Sequence, residues 1–379
     1  MYNCYLTCPR GLEQQAQIDL KSYISNSSIG KGGIEFNTDQ TGLYNVNLHS
    51  RIGMHLLVKI FEINVKDTEE AYTQIYGFNW HEIINPKQTF IIKLKGQSDN
   101  FNNNNYLTLK IKDAIVDQIK KKRFSRPSID KKNPNIILNV FISNDRLTIY
   151  LDSSGLSLHK RGYRNKIHKA MLNESLAAGL IMLSNWNQKD PFYDLMCGSG
   201  TIPIEAALIA HKIAPGLLRE NFAFMQWDDF DEKLFIKLKK KAEKKISINP
   251  NIKIYGFDRV FTNIAISLSS IKSVGYDRLV NFKKQDISKF TPINNYGVII
   301  MNPPYGERLD ESDAVLQQLY GLIGDTLKQK CVGFEGYIFT SNLEMAKFIG
   351  LKSKQRIVLK NGKLDCRLLH YPIKSGEFD

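Results

Sequence analysis

From residue 155 onward, short apolar runs alternate with longer amphipathic stretches, and this alternation limits the fold more than any other feature of the sequence. A chain that repeats strand and helix in this way is typical of a mostly parallel, doubly wound α/β sheet. Ligands bind such sheets at the carboxyl ends of the strands. The predicted strands are residues 191–195, 252–257, 279–282, 298–301 and 336–340.

The first 155 residues follow a different pattern, which is typical of small α+β units. Apolar residues recur at helical spacing over 11–24 and 107–119. Two alternating stretches, 136–142 and 147–151, flank a polar turn and predict a β-hairpin. We therefore expect α+β units before the α/β domain.

The balance of charge favours a polyanionic partner. The chain has 52 Lys and Arg residues against 38 Asp and Glu residues, a net charge of +14. Neutralising phosphates releases bound counterions, so a polyanion suits such an excess; a membrane surface would also suit it, but no amphipathic anchor stands out. A basic protein without such a partner is the alternative.

Other features exclude whole classes of protein. No apolar run approaches the roughly 18 residues of a membrane helix, and residues 1–11 do not resemble a secretory signal. The five cysteines are scattered without a Cys-x-x-Cys pair. We expect a reduced, cytoplasmic protein without a metal site, a membrane partner or an obligate protein partner.

One motif predicts a nucleotide-like cofactor. A predicted strand ends at an acid, and a Gly-x-Gly turn then leads into a helix. A dinucleotide fingerprint would need a third glycine where Pro203 stands, and an acid after a second strand about 20 residues on. Glu220 lies near that distance, but no strand precedes it. S-adenosylmethionine has no pyrophosphate, and its ammonium and ribose diol need acids and backbone amides. A purely structural turn is the third interpretation. The candidate cofactor residues here are Asp194, Cys197, Gly198, Gly200 and Thr201.

Two more acids follow predicted strands. Asp258 is placed to accept hydrogen bonds from both ribose hydroxyls, and Asp286 to accept one from the adenine amino group. Asp at a strand end is also a common helix cap, so each could have only that role.

A second motif, Asn302-Pro303-Pro304-Tyr305, predicts the site of chemistry. The Asn302 side chain and the Pro303 carbonyl offer two acceptors for the two protons of an exocyclic base amine. Holding both protons frees the nitrogen lone pair for attack on a methyl sulfonium. Tyr305 offers a face on which the base stacks. No cysteine follows the prolines, which disfavours a covalent mechanism, and Cys197 is expected to be a packing residue.

A basic segment joins the two halves of the chain. Between 160 and 169 there are five cations and no acid. We interpret it as a hinge that grips RNA phosphates, with a solvated linker as the alternative. The candidate RNA-binding residues are Lys160, Arg161, Tyr163 and Arg164.

Together these motifs resemble the THUMP-domain class I RNA methyltransferases, and in particular the 23S rRNA guanine-N2 subfamily, often labelled N6-adenine-specific DNA methylases. The resemblance covers nearly the whole chain. The residues that carry it are Cys-Gly-Ser-Gly-Thr (197–201), Asn-Pro-Pro-Tyr-Gly-Glu-Arg-Leu (302–309), His-Lys-Arg-Gly-Tyr-Arg (159–164), Asn-Gly-Lys-Leu-Asp-Cys (361–366) and Thr-Cys-Pro-Arg-Gly-Leu-Glu (7–13).

The resemblance implies three domains: a ferredoxin-like unit (1–57), a THUMP RNA-binding domain (58–156) and a Rossmann-like methyltransferase domain (157–379). It implies that S-adenosylmethionine is the cofactor and that Asn302, Pro303 and Tyr305 hold the target base. Leu195 departs from the usual Pro. The sequence ends at Asp379, so the second methyltransferase domain of some relatives, which forms 7-methylguanine, is not expected.

Three other functions stay open at this point. A tRNA guanine is the nearest rival substrate, since THUMP domains read RNA shape and ends. A DNA adenine-N6 methyltransferase would share the Asn-Pro-Pro-Tyr tetrapeptide. A non-catalytic RNA-binding factor is disfavoured because both motifs are intact.

Overall fold

The computed structural model describes residues 1–101, 103–164, 172–306 and 312–375, and the strands in this part of the chain form two sheets. The first sheet has eight strands in the order β2-β3-β1-β4-β8-β7-β5-β6. Its strands are β1 (Tyr2–Thr7), β2 (Ser25–Gly30), β3 (Gly33–Thr38), β4 (His55–Asn64), β5 (Thr89–Gln97), β6 (Ser128–Ile129), β7 (Ile136–Ser143) and β8 (Arg146–Asp152).

The two predicted amino-terminal domains share this first sheet. Strand β4 pairs antiparallel with β1 on one side and with β8 on the other, so the expected boundary at 57/58 falls inside a strand. Strands β5 and β7 are parallel and are connected by the longest helix of the described chain. The helices of this half are α1 (Glu13–Leu20), α2 (Gln40–His49), α3 (Thr68–Tyr76) and α4 (Asn104–Arg123).

The second sheet has seven strands in the order β11-β10-β9-β12-β13-β15-β14. The first five in that order are parallel, and β15 and β14 add an antiparallel edge. Its strands are β9 (Phe192–Asp194), β10 (Ile254–Asp258), β11 (Asn281–Lys284), β12 (Gly297–Met301), β13 (Phe334–Thr340), β14 (Gln355–Asn361) and β15 (Leu364–Pro372).

Helices cover the second sheet, and apolar side chains fill the space between. Val298, Ile299, Ile300 and Met301 in β12 are all buried, as expected for a central parallel strand with both faces covered. The helices of this half are α5 (Glu174–Leu183), α6 (Thr201–Ala210), α7 (Glu232–Glu243), α8 (Phe261–Ser273), α9 (Asp313–Lys330) and α10 (Leu343–Ala346). The architecture is the predicted one: a doubly wound, mostly parallel sheet preceded by α+β units.

Some elements differ from the sequence-based prediction. The strand expected at 279–282 lies at Asn281–Lys284, because residues Asp277–Leu279 form a 3-10 turn instead. Strand β2 has the polar sequence Ser-Asn-Ser-Ser-Ile-Gly at the edge of its sheet and shows no apolar alternation. Within the described ranges, no helix is both long and apolar enough to cross a bilayer.

Candidate active site

The loops that carry the two chemical motifs leave the second sheet side by side. Strand β9 pairs in parallel with β12 through Val298–Phe192 and Ile299–Tyr193, and with β10 through Gly256–Asp194. The chain visits β10 on one side of β9 and β12 on the other, so β9 marks the point where the strand order reverses. A doubly wound sheet forms its binding crevice at this point.

The turn after β9 exposes its backbone. Gly198 has a φ of +55°, and its amide donates to Asp258 Oδ2 at 2.9 Å. A Cβ at Gly198 would meet nothing within 4 Å, whereas one at Gly200 would lie 2.8 Å from the ring of Phe282. The two glycines therefore have different roles: Gly200 allows close packing, and Gly198 leaves open space beside the backbone.

Two carboxylates flank this turn. Asp258 accepts hydrogen bonds at Oδ1 from Val260 N at 2.8 Å and Asn263 Nδ2 at 3.1 Å, in addition to the one from Gly198. Asp194 is 1% exposed and accepts from Met196 N at 3.1 Å. Burial raises the pKa of Asp194 well above its usual range; the Met196 amide partly offsets this, and the nearby Asp258 charge adds to it. Such a carboxyl gains most from a cation placed beside it.

The other predicted cofactor residues have varied surroundings. Burial raises the pKa of the Cys197 thiol well above its usual range, so Cys197 suits packing rather than nucleophilic attack. Thr201 begins α6, and its hydroxyl accepts from Arg164. Asp286 caps the turn Ile287–Lys289, and its carboxylate accepts from both the amide and the hydroxyl of Ser288. These Ser288 hydrogen bonds lower the pKa of Asp286.

The Asn-Pro-Pro-Tyr motif follows β12 directly. Pro303 is buried, Pro304 is exposed, and Asn302 and Tyr305 are half-buried. The Tyr305 hydroxyl donates to Asn302 Oδ1, and the Tyr305 ring lies edge-on to Phe339 at 6.4 Å between centroids. The structure thus brings the predicted acceptor and the predicted stacking ring together. Residues 307–309 of the motif lie outside the described part of the chain.

Three residues outside the motif anchor it, and sequence reasoning missed them. Tyr320 donates to the Pro304 carbonyl at 3.2 Å and shares a 2.8 Å hydrogen bond with Thr340. Asn342 Nδ2 donates to the Tyr305 carbonyl at 3.0 Å, and Asn342 N donates to Thr340 Oγ1 at 3.0 Å. Thr340 and Asn342 could have been found in the same way as Asp258, because they lie at the carboxyl end of a predicted strand. Tyr320 had no such signal.

The structure corrects the prediction for the basic segment. Arg161 is 1% exposed and Tyr163 is equally buried, so neither side chain lies on the surface where RNA could reach it. Arg161 donates to the carbonyls of Leu158 and Arg51, and its Nε lies 3.6 Å from Glu205 Oε1. Burial of the arginine by these partners is the reason that the phosphate-gripping role is wrong for it.

Tyr163 and Arg164 belong with Arg161 to one set of internal contacts, which we call the brace. Tyr163 donates to Glu205 Oε1 at 3.0 Å, and Arg164 lies 3.2 Å from Glu174 while it contacts Thr201. The segment therefore connects α5 to the first helix after the cofactor turn. Of the four candidate RNA-binding residues, Lys160 alone is exposed, so its side chain is available to a phosphate. Residues 165–171, including the rest of the predicted basic run, lie outside the described ranges.

The arrangement fits the ligand that the sequence suggested. A turn with open space at Gly198, a buried carboxyl at Asp194 and a second carboxylate at Asp258 match a molecule with an ammonium group and a ribose diol. Asn302 and Pro303, which carry the two candidate acceptor oxygens, directly follow β12, the strand next to β9. A methyl donor and an amine acceptor bound at these two loops would meet over β9 and β12.

Three family models match successive parts of the chain. Residues 3–57 match the RlmL ferredoxin-like domain, residues 65–152 the THUMP domain, and residues 161–370 the RMKL-like methyltransferase domain.

Solved structures resemble the chain over its whole length. The structure of SMU.472, described as a methyltransferase complexed with SAH, is 27% identical with a TM-score of 0.90, and 99% of each chain is covered. A possible methylase from Clostridium difficile 630 is 32% identical, with a TM-score of 0.90 and 99% of each chain covered. A protein from Listeria monocytogenes str. 4b F2365, described as a predicted N6-adenine-specific DNA methylase, is 28% identical with a TM-score of 0.86, and 98% of this chain and 96% of that chain are covered. The chain belongs to the RMKL-like methyltransferase family and is an S-adenosylmethionine-dependent methyltransferase with a THUMP domain.

Proposed function

We propose that this protein methylates the exocyclic N2 amine of a guanine in RNA, and that the RNA is 23S rRNA. One observation carries the proposal: the cofactor turn after β9 and the Asn-Pro-Pro-Tyr motif after β12 leave neighbouring strands at the reversal point of the sheet. This geometry supports direct transfer from a donor at one loop to an amine at the other.

On the cofactor side, the chain's own groups provide charge and shape. The cofactor supplies an electrophilic methyl group on a sulfonium. Asp194 is proposed to pair with its ammonium group, because a buried carboxyl has the most to gain from a cation. Val260 and Asn263 both donate to Oδ1 of Asp258, so Asp258 is proposed to accept from the ribose diol at Oδ2, where the Gly198 amide leaves a lone pair available. Cys197, Gly200 and Thr201 shape the turn, and Asp286 is proposed to accept from the adenine amino group.

On the base side, the groups hold protons rather than remove them. The Asn302 carbonyl and the Pro303 carbonyl accept the two N–H protons of the amine, which directs the nitrogen lone pair toward the methyl group. Tyr305 stacks on the base. Its hydroxyl, which donates to Asn302 in the structure, then shares that oxygen with the amine. After the N–C bond forms, the positively charged product amine releases its extra proton to water, so no strong base is needed beforehand.

The choice of RNA rests on the amino-terminal half. The THUMP match at 65–152 and the net charge of +14 both support an RNA partner. A tRNA guanine is the first alternative. The Listeria relative, described as an N6-adenine-specific DNA methylase, makes DNA adenine the second alternative.

The polymer is tested by incubating the full chain with labelled cofactor and three substrates: unmodified 23S rRNA, unmodified tRNA and unmethylated DNA. We expect label in rRNA alone. Label mainly in tRNA would replace the substrate but keep the chemistry, whereas label mainly in DNA would contradict the assignment to RNA.

Replacing Asp258 by alanine is expected to weaken binding of S-adenosylmethionine by about 1.5–3 kcal/mol, the scale of hydrogen bonds to a charged group. The variant loses the proposed ribose acceptor and the partner of the Gly198 amide. Calorimetry measures the affinity. Asp277→Ala, a change of an acid in the turn before β11, is the control and should bind normally. Unchanged affinity in Asp258→Ala would remove Asp258 from the site.

The affinity for S-adenosylmethionine is also expected to rise with pH. The pKa of Asp194 is raised by burial, so at low pH the carboxyl is neutral and cannot pair with the ammonium. As pH increases through that raised pKa, Asp194 ionises and binding strengthens. The measurement belongs below about pH 7.5, where an α-amino group is still largely protonated. Asp194→Asn should bind weakly at every pH; a pH slope that persists in this variant would assign the dependence to another group.

A further inference from the structure

A short stretch at the end of α4 is unusually basic and exposed. Residues 120–126, which we call the α4 platform, contain five cations and no acid. All seven residues are exposed. They are Lys120, Lys121, Lys122, Arg123, Phe124, Ser125 and Arg126.

Phe124 at the centre of the platform is poorly placed for folding. Its side chain is 94% exposed, so it contributes almost no burial. It also has a φ of +55° as the C-cap of α4, a conformation that favours glycine. An exposed ring on a strained backbone costs stability at a site that glycine or asparagine would fill better. The ring of Phe124 therefore does not serve the stability of the fold.

The cations around Phe124 are available to an anion. Within the described ranges, none of the five forms an ion pair. Lys121 lies 5.7 Å from the ring of Tyr76, which leaves its charge unneutralised. Basic residues in a last helical turn do interact favourably with the helix dipole, but Arg126 lies beyond the helix. The dipole therefore does not account for the whole cluster.

We propose that the α4 platform binds single-stranded RNA, with an unpaired base stacked on Phe124 and the flanking phosphates paired with the surrounding cations. This rests on the RNA substrate of the proposed function and adds a contact outside the methyltransferase domain. Base–aromatic stacking within a positively charged surface is the usual way of holding single strands without reading their sequence. Five cations disfavour an apolar protein partner, because its docking would bury them unpaired.

The first experiment measures binding of the full chain to a single-stranded oligouridylate and to a blunt RNA duplex at several salt concentrations. Phe124→Gly should weaken single-strand binding about 10-fold, the scale of one stacked base, with the salt dependence unchanged. Phe124→Tyr keeps a ring and should bind like the wild type. Because glycine relieves the positive φ, Phe124→Gly should melt at the same temperature as the wild type or higher, which separates lost binding from lost folding.

Charge is tested separately. Lys122→Gln with Arg123→Gln should lower the slope of log affinity against log salt by about 1.4, since each phosphate contact to a single strand contributes about 0.7. The matched control is Lys237→Gln with Lys240→Gln on α7, which removes the same charge from another exposed helix face. The aromatic control is Tyr106→Ala, at the other end of α4 and about 27 Å away at 1.5 Å per residue.

Each outcome decides something. If the α4 and α7 charge variants lose RNA affinity equally, or if Phe124→Gly binds RNA as tightly as the wild type, the platform proposal is wrong. The proposed function would still stand in that case, provided that the wild-type chain binds RNA. No RNA binding by the wild type would overturn the proposed function itself. Vesicles containing phosphatidylglycerol provide the last comparison: if Phe124→Gly reduces vesicle binding and leaves RNA binding unchanged, the platform is a membrane contact and the proposal is wrong.

Discussion

Replacing Arg161 by alanine is expected to destabilise the folded chain by about 3–5 kcal/mol, the cost of removing one partner of a buried ion pair. Arg161 is 1% exposed and faces Glu205, which is fully buried. Without the arginine, Glu205 keeps Tyr163 as a hydrogen-bond donor but loses the adjacent positive charge. The carbonyls of Leu158 and Arg51 also lose their donors. Urea unfolding measures the change in free energy.

The neighbouring residue provides the control. Lys160 is exposed, and the backbone carbonyl that accepts from Arg219 stays in place when its side chain is shortened. Lys160→Ala should therefore change the free energy of unfolding by less than about 0.5 kcal/mol. An Arg161→Ala protein with wild-type stability but a flatter salt dependence of RNA binding would contradict the buried brace and restore a direct contact with phosphate.

Asn302→Ala is expected to lower kcat by roughly 10²–10³, the loss seen when one preorganised polar group at a reacting centre is removed. The variant deletes one of the two proposed acceptors for the amine protons and the acceptor of the Tyr305 hydroxyl. The anchors on Pro304 and Tyr305 come from Tyr320 and Asn342, so the loop keeps its position. Single-turnover methyl transfer to RNA measures the effect.

A second variant tests the Tyr305 hydroxyl by itself. Tyr305→Phe keeps the ring and both carbonyl acceptors, so its loss of kcat should be much smaller than that of Asn302→Ala. The affinity for S-adenosylmethionine should be close to wild type in both. If Asn302→Ala transfers methyl groups at the wild-type rate, Asn302 is not an acceptor for the amine.

The sequence predicted the order and type of the secondary-structure elements better than the packing of particular side chains. Alternating strands and helices predicted the parallel sheet. Asp194, Asp258 and Asn302 were identified because they lie at the ends of predicted strands, which places them at the carboxyl edge of that sheet. Local patterns sufficed there because strand ends in a parallel sheet must meet. The antiparallel pair β14 and β15 was not predicted, although part of it had been recognised as a motif.

The basic segment shows where sequence reasoning failed. Arg161 and Tyr163 lie in a segment with the composition of an RNA-binding site. Their partner Glu205, however, lies more than 40 residues further along the chain. Only the tertiary structure reveals that the arginine is buried with that carboxylate. For Asp258 the sequence left open whether the residue caps a helix or binds the cofactor, and the structure is compatible with both roles. Asp258 accepts from Val260 and also faces the open turn at Gly198.

The most direct test of the account is the identity of the methylated nucleoside. RNA treated with the enzyme and labelled cofactor is digested to nucleosides, which are separated and identified by mass. We predict that the label is found in N2-methylguanosine. Label in N6-methyladenosine would contradict the guanine assignment while keeping the amine mechanism, and label in 5-methylcytidine would contradict the mechanism as well.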